Sequence, residues 1–437
     1  MNKIIPNWWS ILLGLAMSLF VIQPYSYHFR SIPAQVIIVW VLIAWAIIFR
    51  KRIVTNSISS FSIFQRLLVI CILTIFLYKT IIGSVSYLIL FQICTGIIIA
   101  ILSCMVCTQK KSLKIVMKLI LFTAALSAFV ALLQYLGHAS WTWKYTIYYG
   151  KSIHMPSGLE FYPVSLSYSL IAPCMILLIT YLFEKSNKIK LDLIPKFISL
   201  PYLVIILFSF ILSQSRSGAL SIIVGAIISI MIFIRLKKRF IPFSILTILI
   251  VLFSIVYFTK ENIFKGIIHK TEQIGSDMRT EGTWSIFLPV IIEYPFGVPK
   301  SVIGKEQSNK LKIIGGYSNK NYKEAMKQTQ GYDPHNLIIT AAVYFGVPVA
   351  ILLLTFYINL FFVGYKEIFL CRKDFNKHAI YVLILFSTNL ALVVHAWFHN
   401  ASIIFGEMRL WFWVGLLIGY IKLAMESRFN NLSKTGS

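Results

Sequence analysis

Long apolar runs separated by short polar tracts organise the chain from end to end. Runs of about 20 apolar residues match the roughly 30 Å hydrocarbon core that one transmembrane helix must cross. They fall at 8–26, 33–49, 65–82, 85–105, 115–137, 161–183, 196–213, 218–234, 241–258, 336–364, 379–398 and 409–424. The pattern predicts an all-α polytopic membrane protein of about twelve spans, with nothing left over for a soluble domain. It divides the chain into residues 1–114 (spans one to four), 115–258 (spans five to nine), 259–335 (a large connection) and 336–437 (the last three spans and a tail).

Composition agrees: 58% of the 437 residues are hydrophobic and 13% are charged, and the mean hydropathy is +0.79. The formal net charge of +26 would suit a nucleic-acid partner, but its placement argues for topology instead. Arg50-Lys51-Arg52, Lys110-Lys111 with Lys114, Lys185 to Lys190, Arg235 to Arg239 and Lys366 to Lys377 follow every second span. The positive-inside rule makes these tracts cytoplasmic, and Lys3, Arg428 and Lys434 put both termini there too. The expected location is a bacterial inner membrane, with membrane lipids as neighbours and no nucleic acid. The first apolar run lacks a small-residue cleavage site and reads as a retained span. Cys71, Cys94, Cys104, Cys107, Cys174 and Cys371 all fall in spans or at cytoplasmic edges, so no disulfide is expected. Cys104 and Cys107 form a C-x-x-C without a second ligand pair, which does not make a metal site.

The opposite, outer face then carries two large connections. Residues 138–160 hold Trp141, Trp143, Tyr145, Tyr148 and Tyr149, a mixture suited to the headgroup layer and read as an interfacial belt. In residues 259–334, Trp284, Phe287, Val290 and Ile291 recur at helical spacing, predicting an amphipathic helix along the membrane. The lysine-rich stretch 300–332 follows as a loop or lid. No phosphate-binding glycine loop, zinc-type His/Glu spacing or fixed-period repeat occurs.

Ionisable groups near a bilayer are costly unless paired or solvated, so they are where chemistry is sought. Ser213-Gln214-Ser215-Arg216-Ser217-Gly218 is a hydrophilic reversal between two apolar runs. Its Arg216 suits bidentate binding of a diphosphate, or else snorkels to lipid phosphates. Arg279 lies between Asp277 and Glu281, either on a solvated helix face or against a substrate. His335, in Asp333-Pro334-His335-Asn336, opens the tenth span and can take a proton from an acceptor hydroxyl, or serve the structure alone. His395, His399, Glu407, Arg409 and Glu160 are further groups at the outer ends of spans.

Taken together, these stretches resemble the O-antigen ligase and O-antigen polymerase superfamily. The resemblance rests on Ser213 to Gly218, on Arg279 with Trp284 and Tyr294-Pro295-Phe296-Gly297, and on His335-Asn336 with Gly346. Ala131-Leu132-Leu133-Gln134-Tyr135-Leu136-Gly137, Pro156-Ser157-Gly158 and Tyr162-Pro163 add to it. It implies a glycosyltransferase working in the periplasm without metal or other cofactor, with an undecaprenyl-diphosphate-linked glycan as donor. The acceptor would be lipid A-core for a ligase or a second lipid-linked glycan for a polymerase. It further implies that Arg216 and Arg279 grip the diphosphate and His335 activates the acceptor hydroxyl, with Ser215, Ser217, Asn336 and Lys151 as substrate contacts. The chain departs from the ligase pattern at Val347-Pro348-Val349, and it has His154-Met155 where the family pattern suggests an arginine. A transporter or flippase for a lipid-linked anion is the competing class; it would be expected to show two related halves.

Overall fold

The computed structural model describes residues 8–19, 34–81, 87–107, 110–139, 144–148, 151–160, 163–187, 191, 193, 196–213, 215–237, 285–297, 336–370, 377–398 and 408–435. The helices are α1 (Trp8–Leu19), α2 (Ala34–Ile58), α3 (Ile63–Ile81), α4 (Tyr87–Cys107), α5 (Lys110–Tyr135), α6 (Pro163–Asn187), α7 (Lys196–Leu212) and α8 (Arg216–Lys237). They continue as α9 (Ser285–Glu293), α10 (Leu337–Phe345), α11 (Val347–Leu370), α12 (Lys377–Trp397) and α13 (Met408–Thr435). Seven of the described helices are long and apolar enough to cross a membrane, and three shorter apolar stretches lie at 8–18, 201–212 and 217–232. The expected ninth span, 241–258, lies outside the described residues.

Three local departures from the hydropathy reading have physical causes. The apolar run 336–364 is two helices, because Gly346 adopts φ 100° and ψ 160° between α10 and α11. Pro348, two residues later, supplies no N–H to the preceding turn and is tolerated only in the first turn of a new helix. At about 1.5 Å per residue, the 24 residues of α11 suffice to span by themselves. Helix α2 runs past its expected end but is kinked at Arg50 (φ −140°, ψ 31°), where the apolar run gives way to cationic residues. Within the aromatic connection, β1 (Lys144–Tyr148) and β2 (Lys151–Met155) pair antiparallel, Lys144 opposite Met155 and Tyr148 opposite Lys151. Tyr, Thr and Ile favour a pleated backbone, and residues 138–160 thus hold a hairpin inside an otherwise helical protein.

Lipid tails are as apolar as leucine, so helices in a bilayer associate through close fit rather than through the hydrophobic effect. The seam between α4 and α13 is the clearest case. A Cβ on Gly415 would stand 2.3 Å from the Ala100 carbonyl oxygen, and one on Gly96 would stand 2.1 Å from the Trp411 ring. Cys104 and Cys107 lie on this seam, donating from Sγ to the Gly415 oxygen at 3.1 Å and the Leu416 oxygen at 3.3 Å. Both C-x-x-C thiols are therefore packing groups, and all five described cysteines are free. In the second half of α13, Lys422 donates to the Asn56 carbonyl at 3.0 Å and Arg428 pairs with buried Glu367 at 3.4 Å. Helix α3 begins with a reciprocal cap, Ser62 Oγ accepting from the Gln65 N–H and Gln65 Oε1 from the Ser62 N–H.

Candidate functional site

The reversal between α7 and α8 is the first part of the site. Ser215 Oγ accepts the Gly218 N–H at 3.2 Å, which caps α8 at its N-terminus. Ser213, Ser215 and Ser217 are all buried, although each is polar and sits beside an apolar run. Their hydroxyls are satisfied inside the protein: Ser213 donates to the Phe210 carbonyl at 2.6 Å, and Ser215 and Ser217 lie 3.3 Å apart. Arg216 is the first residue of α8.

From Ser217 a chain of polar contacts crosses the same end of the bundle. Ser217 Oγ lies 3.4 Å from Nε2 of buried His395, near the end of α12. The His395 ring meets the Tyr168 ring of α6 edge-on at 5.2 Å. The Arg409 guanidinium, in the first turn of α13, lies 4.6 Å from the centre of that same Tyr168 ring. Arg409 in turn donates to Glu160 Oε1 at 2.9 Å and to Ser169 Oγ at 2.5 Å, and Ser169 donates to Glu160. The carboxylate is almost wholly buried, at 1% exposure, against 13% for the guanidinium.

Glu160 is delivered there by a rigid turn. The Gln134 side chain, on the last turns of α5, accepts from the Ser157 and Gly158 N–H groups at 2.9 and 2.8 Å and donates to the Gly158 carbonyl at 3.1 Å. Ser127 Oγ accepts the Leu159 N–H at 3.1 Å. Gly158 has φ 62°, and a Cβ there would lie 2.6 Å from the Ser127 carbonyl. The two stretches singled out in the sequence, around Gln134 and at Pro156-Ser157-Gly158, are thus two halves of one lock.

Removing one partner of a buried ion pair leaves an uncompensated charge, at a cost of about 3–5 kcal/mol. Glu160→Ala is therefore expected to lower the melting temperature of the detergent-solubilised protein. Adding Arg409→Met to it should restore much of the loss. Equal melting of Glu160→Ala and wild type would mean that the pair carries no weight in the fold.

The second part of the site is a backbone junction. Helix α9 buries Phe287 and Val290 while leaving Leu288 and Ile292 exposed, so it presents one apolar face to α10 and another outward. The turn Tyr294-Pro295-Phe296-Gly297 follows, closed by the Gly297 N–H donating to the Tyr294 carbonyl at 2.9 Å. The Pro295 carbonyl then accepts the Val347 N–H at 2.8 Å, giving the first amide of α11 a partner. A Cβ on Gly346 would lie 2.7 Å from the Phe296 carbonyl carbon, and one on Gly297 would lie 2.9 Å from the Gly346 nitrogen. At the other end of α10, Asn336 is buried and its Oδ1 accepts from the Ile338 and Ile339 N–H groups at 2.9 and 3.0 Å. Lys79, in the last turn of α3, reaches into the junction, its Nζ 3.4 Å from the Gly297 carbonyl.

Of the residues predicted from sequence, Ser215 and Ser217 stand in the buried polar chain and Asn336 is a helix N-cap. Arg279 and His335 lie outside the described residues, as do His399, Glu407 and the side chains of Arg216 and Lys151. The structure joins Glu160, His395 and Arg409 to Ser217. Gln134, Tyr168, Ser169 and Lys79 were not assigned roles from sequence. Lys79 carried a usable signal, an ionisable residue inside an apolar run; the others are ordinary polar residues until the fold brings them together. Among the described residues no group of three or more His, Cys, Asp or Glu is placed to hold a metal ion.

Residues 201–354 match a family model described as O-antigen ligase. No curated protein matches the chain. The matched segment runs from α7 through the Ser213 to Gly218 reversal, the Tyr294 to Gly297 turn and α10 into α11.

Proposed function

We propose, on the premise that the match of residues 201–354 to the O-antigen ligase family extends to what the chain does, that it is an inverting, metal-independent glycosyltransferase of the O-antigen ligase and polymerase superfamily. It would move a glycan from undecaprenyl diphosphate to a sugar hydroxyl at the periplasmic face of the inner membrane. The reading we put first is O-antigen ligase, with lipid A-core as acceptor. The observation that supports it most is that the family segment contains the Arg216 reversal, whose flanking Ser217 is buried against His395 at the end of the bundle that also carries Arg409 and Glu160. A multi-pass helical membrane protein suits a donor whose leaving group is a membrane lipid.

The chemistry follows from charge. A diphosphate leaves readily once its developing negative charge is neutralised, and preorganised guanidinium groups do this without solvent reorganisation. Arg216 and Arg279 take that role, with Ser215, Ser217 and Lys151 as further donors. The acceptor oxygen attacks the anomeric carbon from the face opposite the departing diphosphate, forming one C–O bond as the other breaks and inverting the centre. His335 receives the acceptor proton, and Asn336, which caps α10, holds the start of that helix beside it.

Purified protein supplied with synthetic lipid-linked donor and acceptor in EDTA is expected to transfer the glycan. Movement of the donor across the membrane without transfer would instead favour a flippase. His335→Ala should reduce transfer by about 10²–10⁴-fold, the usual worth of a positioned general base. Wild-type turnover in that variant removes His335 from the mechanism. Deleting the gene separates the two enzyme readings. Bare core with accumulated lipid-linked polymer supports the ligase, whereas core carrying a single repeat unit supports the polymerase.

A further inference from the structure

Lys79 is 7% exposed, yet the Gly297 carbonyl at 3.4 Å is its single hydrogen-bond partner among the described residues. An ammonium has three N–H donors. A buried cation with one long hydrogen bond and, among the described residues, no carboxylate paired with it is unfavourable unless an anion or water completes it. Immediately along the same helix lies an apolar slot between α3, α4, α11 and α13. Its lining includes Val69, Ile72 and Phe76 of α3, Ile97 of α4, Phe356 of α11 and Trp411 of α13.

Ile72, Phe76 and Lys79 follow one another at four- and three-residue intervals, so the cation and the slot share one face of α3. About 5 Å of helix rise separates Lys79 from Phe76. Phe76 also meets Phe345, the last residue of α10, with ring centres 3.9 Å apart. Only 28% of the apolar window of α3 is buried, the lowest share among the seven candidate spans. Most of that helix surface is uncovered by protein, so a hydrocarbon chain can lie along it. An apolar slot ending at a buried cation has the chemistry to take an amphiphile with an anionic head.

We propose that Lys79 and this slot form the anchoring site for the acceptor lipid, one hydrocarbon chain lying along α3 and a phosphate meeting the Lys79 ammonium. This rests on the transferase reading, which requires two phosphate-bearing lipids in one enzyme and gives the arginines to the donor. Helix α10 then acts as a spacer. Its nine residues span about 14 Å, from the Lys79 junction to Asn336. The sugar of a lipid anchored at one end is thereby carried towards the Asn336 end of the helix.

The test uses the purified full chain in nanodiscs with synthetic donor and acceptor. Lys79→Met is expected to raise the acceptor KM by about tenfold, the worth of a charge-assisted contact, while donor KM and kcat stay within about twofold of wild type. Lys79→Arg should recover most of the affinity, and wild type and Lys79→Met should treat an acceptor stripped of its phosphate alike. A rise in donor KM, an unchanged acceptor KM, or a defect that follows the anionic phospholipid content of the disc would each overturn the assignment. Trp411 gives a readout that needs no turnover. A phosphorylated lipid with brominated chains should quench the fluorescence that Trp411→Phe removes, and less so in Lys79→Met. If wild type transfers nothing, the acceptor assignment falls with the transferase reading, and this quenching alone decides whether a lipid site exists. Equal quenching in wild type and Lys79→Met removes that site as well.

Discussion

Arg216→Ala is expected to abolish glycosyl transfer, lowering kcat/KM by at least about a hundredfold, while the protein accumulates normally in the membrane. The expectation of normal accumulation comes from the local structure. The first turn of α8 is held by the Ser215 cap on Gly218 and by Ser217 beside His395, and none of these contacts uses the residue 216 side chain. The expectation of lost activity comes from charge. A departing diphosphate needs its negative charge met at the transition state, and no other residue of the reversal is cationic. Arg216→Lys keeps a point charge but not the two-pronged geometry that fits a phosphate, so partial activity is expected there. Transfer by Arg216→Ala at the wild-type rate would leave the residue as an ordinary lipid-facing cation and remove the proposed donor site with it.

Gly346→Ala is expected to destabilise the fold by roughly 3 kcal/mol, since left-handed strain and overpacking each cost about 1–3 kcal/mol. The strain arises because φ at this position is 100°. The overpacking arises because the new methyl would meet Phe296 backbone atoms at 2.7 to 3.0 Å, and backbone cannot rotate aside as a flexible side chain does. Gly137→Ala provides the comparison. Its φ is 81°, but nothing lies within 4 Å of the added carbon, so only the strain remains. Thermal melts of both variants in detergent check the difference; equal shifts would mean that the contact with Phe296 contributes nothing.

Hydropathy made the helices legible because crossing a bilayer imposes a length and an apolar composition on each one. It could not see the division at Gly346, since a window average is blind to a single backbone angle, although the Gly-Val-Pro triplet carried the signal. The hairpin at 144–155 was hidden for a related reason. Its aromatic residues suit the headgroup layer as well as a strand, and composition alone does not separate the two. The site divides in the same way. The Ser213 to Gly218 reversal announced itself as polar residues in an apolar setting. The Glu160–Arg409 pair spans 249 positions and the Ser217–His395 contact spans 178, and no pattern along a chain records such distances. Gln134 is instructive because it stood inside a quoted stretch, yet its function, holding the Ser157-Gly158 turn through three hydrogen bonds, exists only in three dimensions.

The tight fit of α4 against α13 has a practical consequence for mapping membrane orientation. Cys104, Cys107 and Cys174 are buried, so a water-soluble maleimide finds no path to them in the folded protein. Replacing the more accessible Cys71 and Cys94, together with Cys371, leaves a background silent towards such a reagent. Single cysteines introduced at Tyr149, Asn309 or Lys373 then report the compartment each one faces, without disturbing the seam that holds the two helices together.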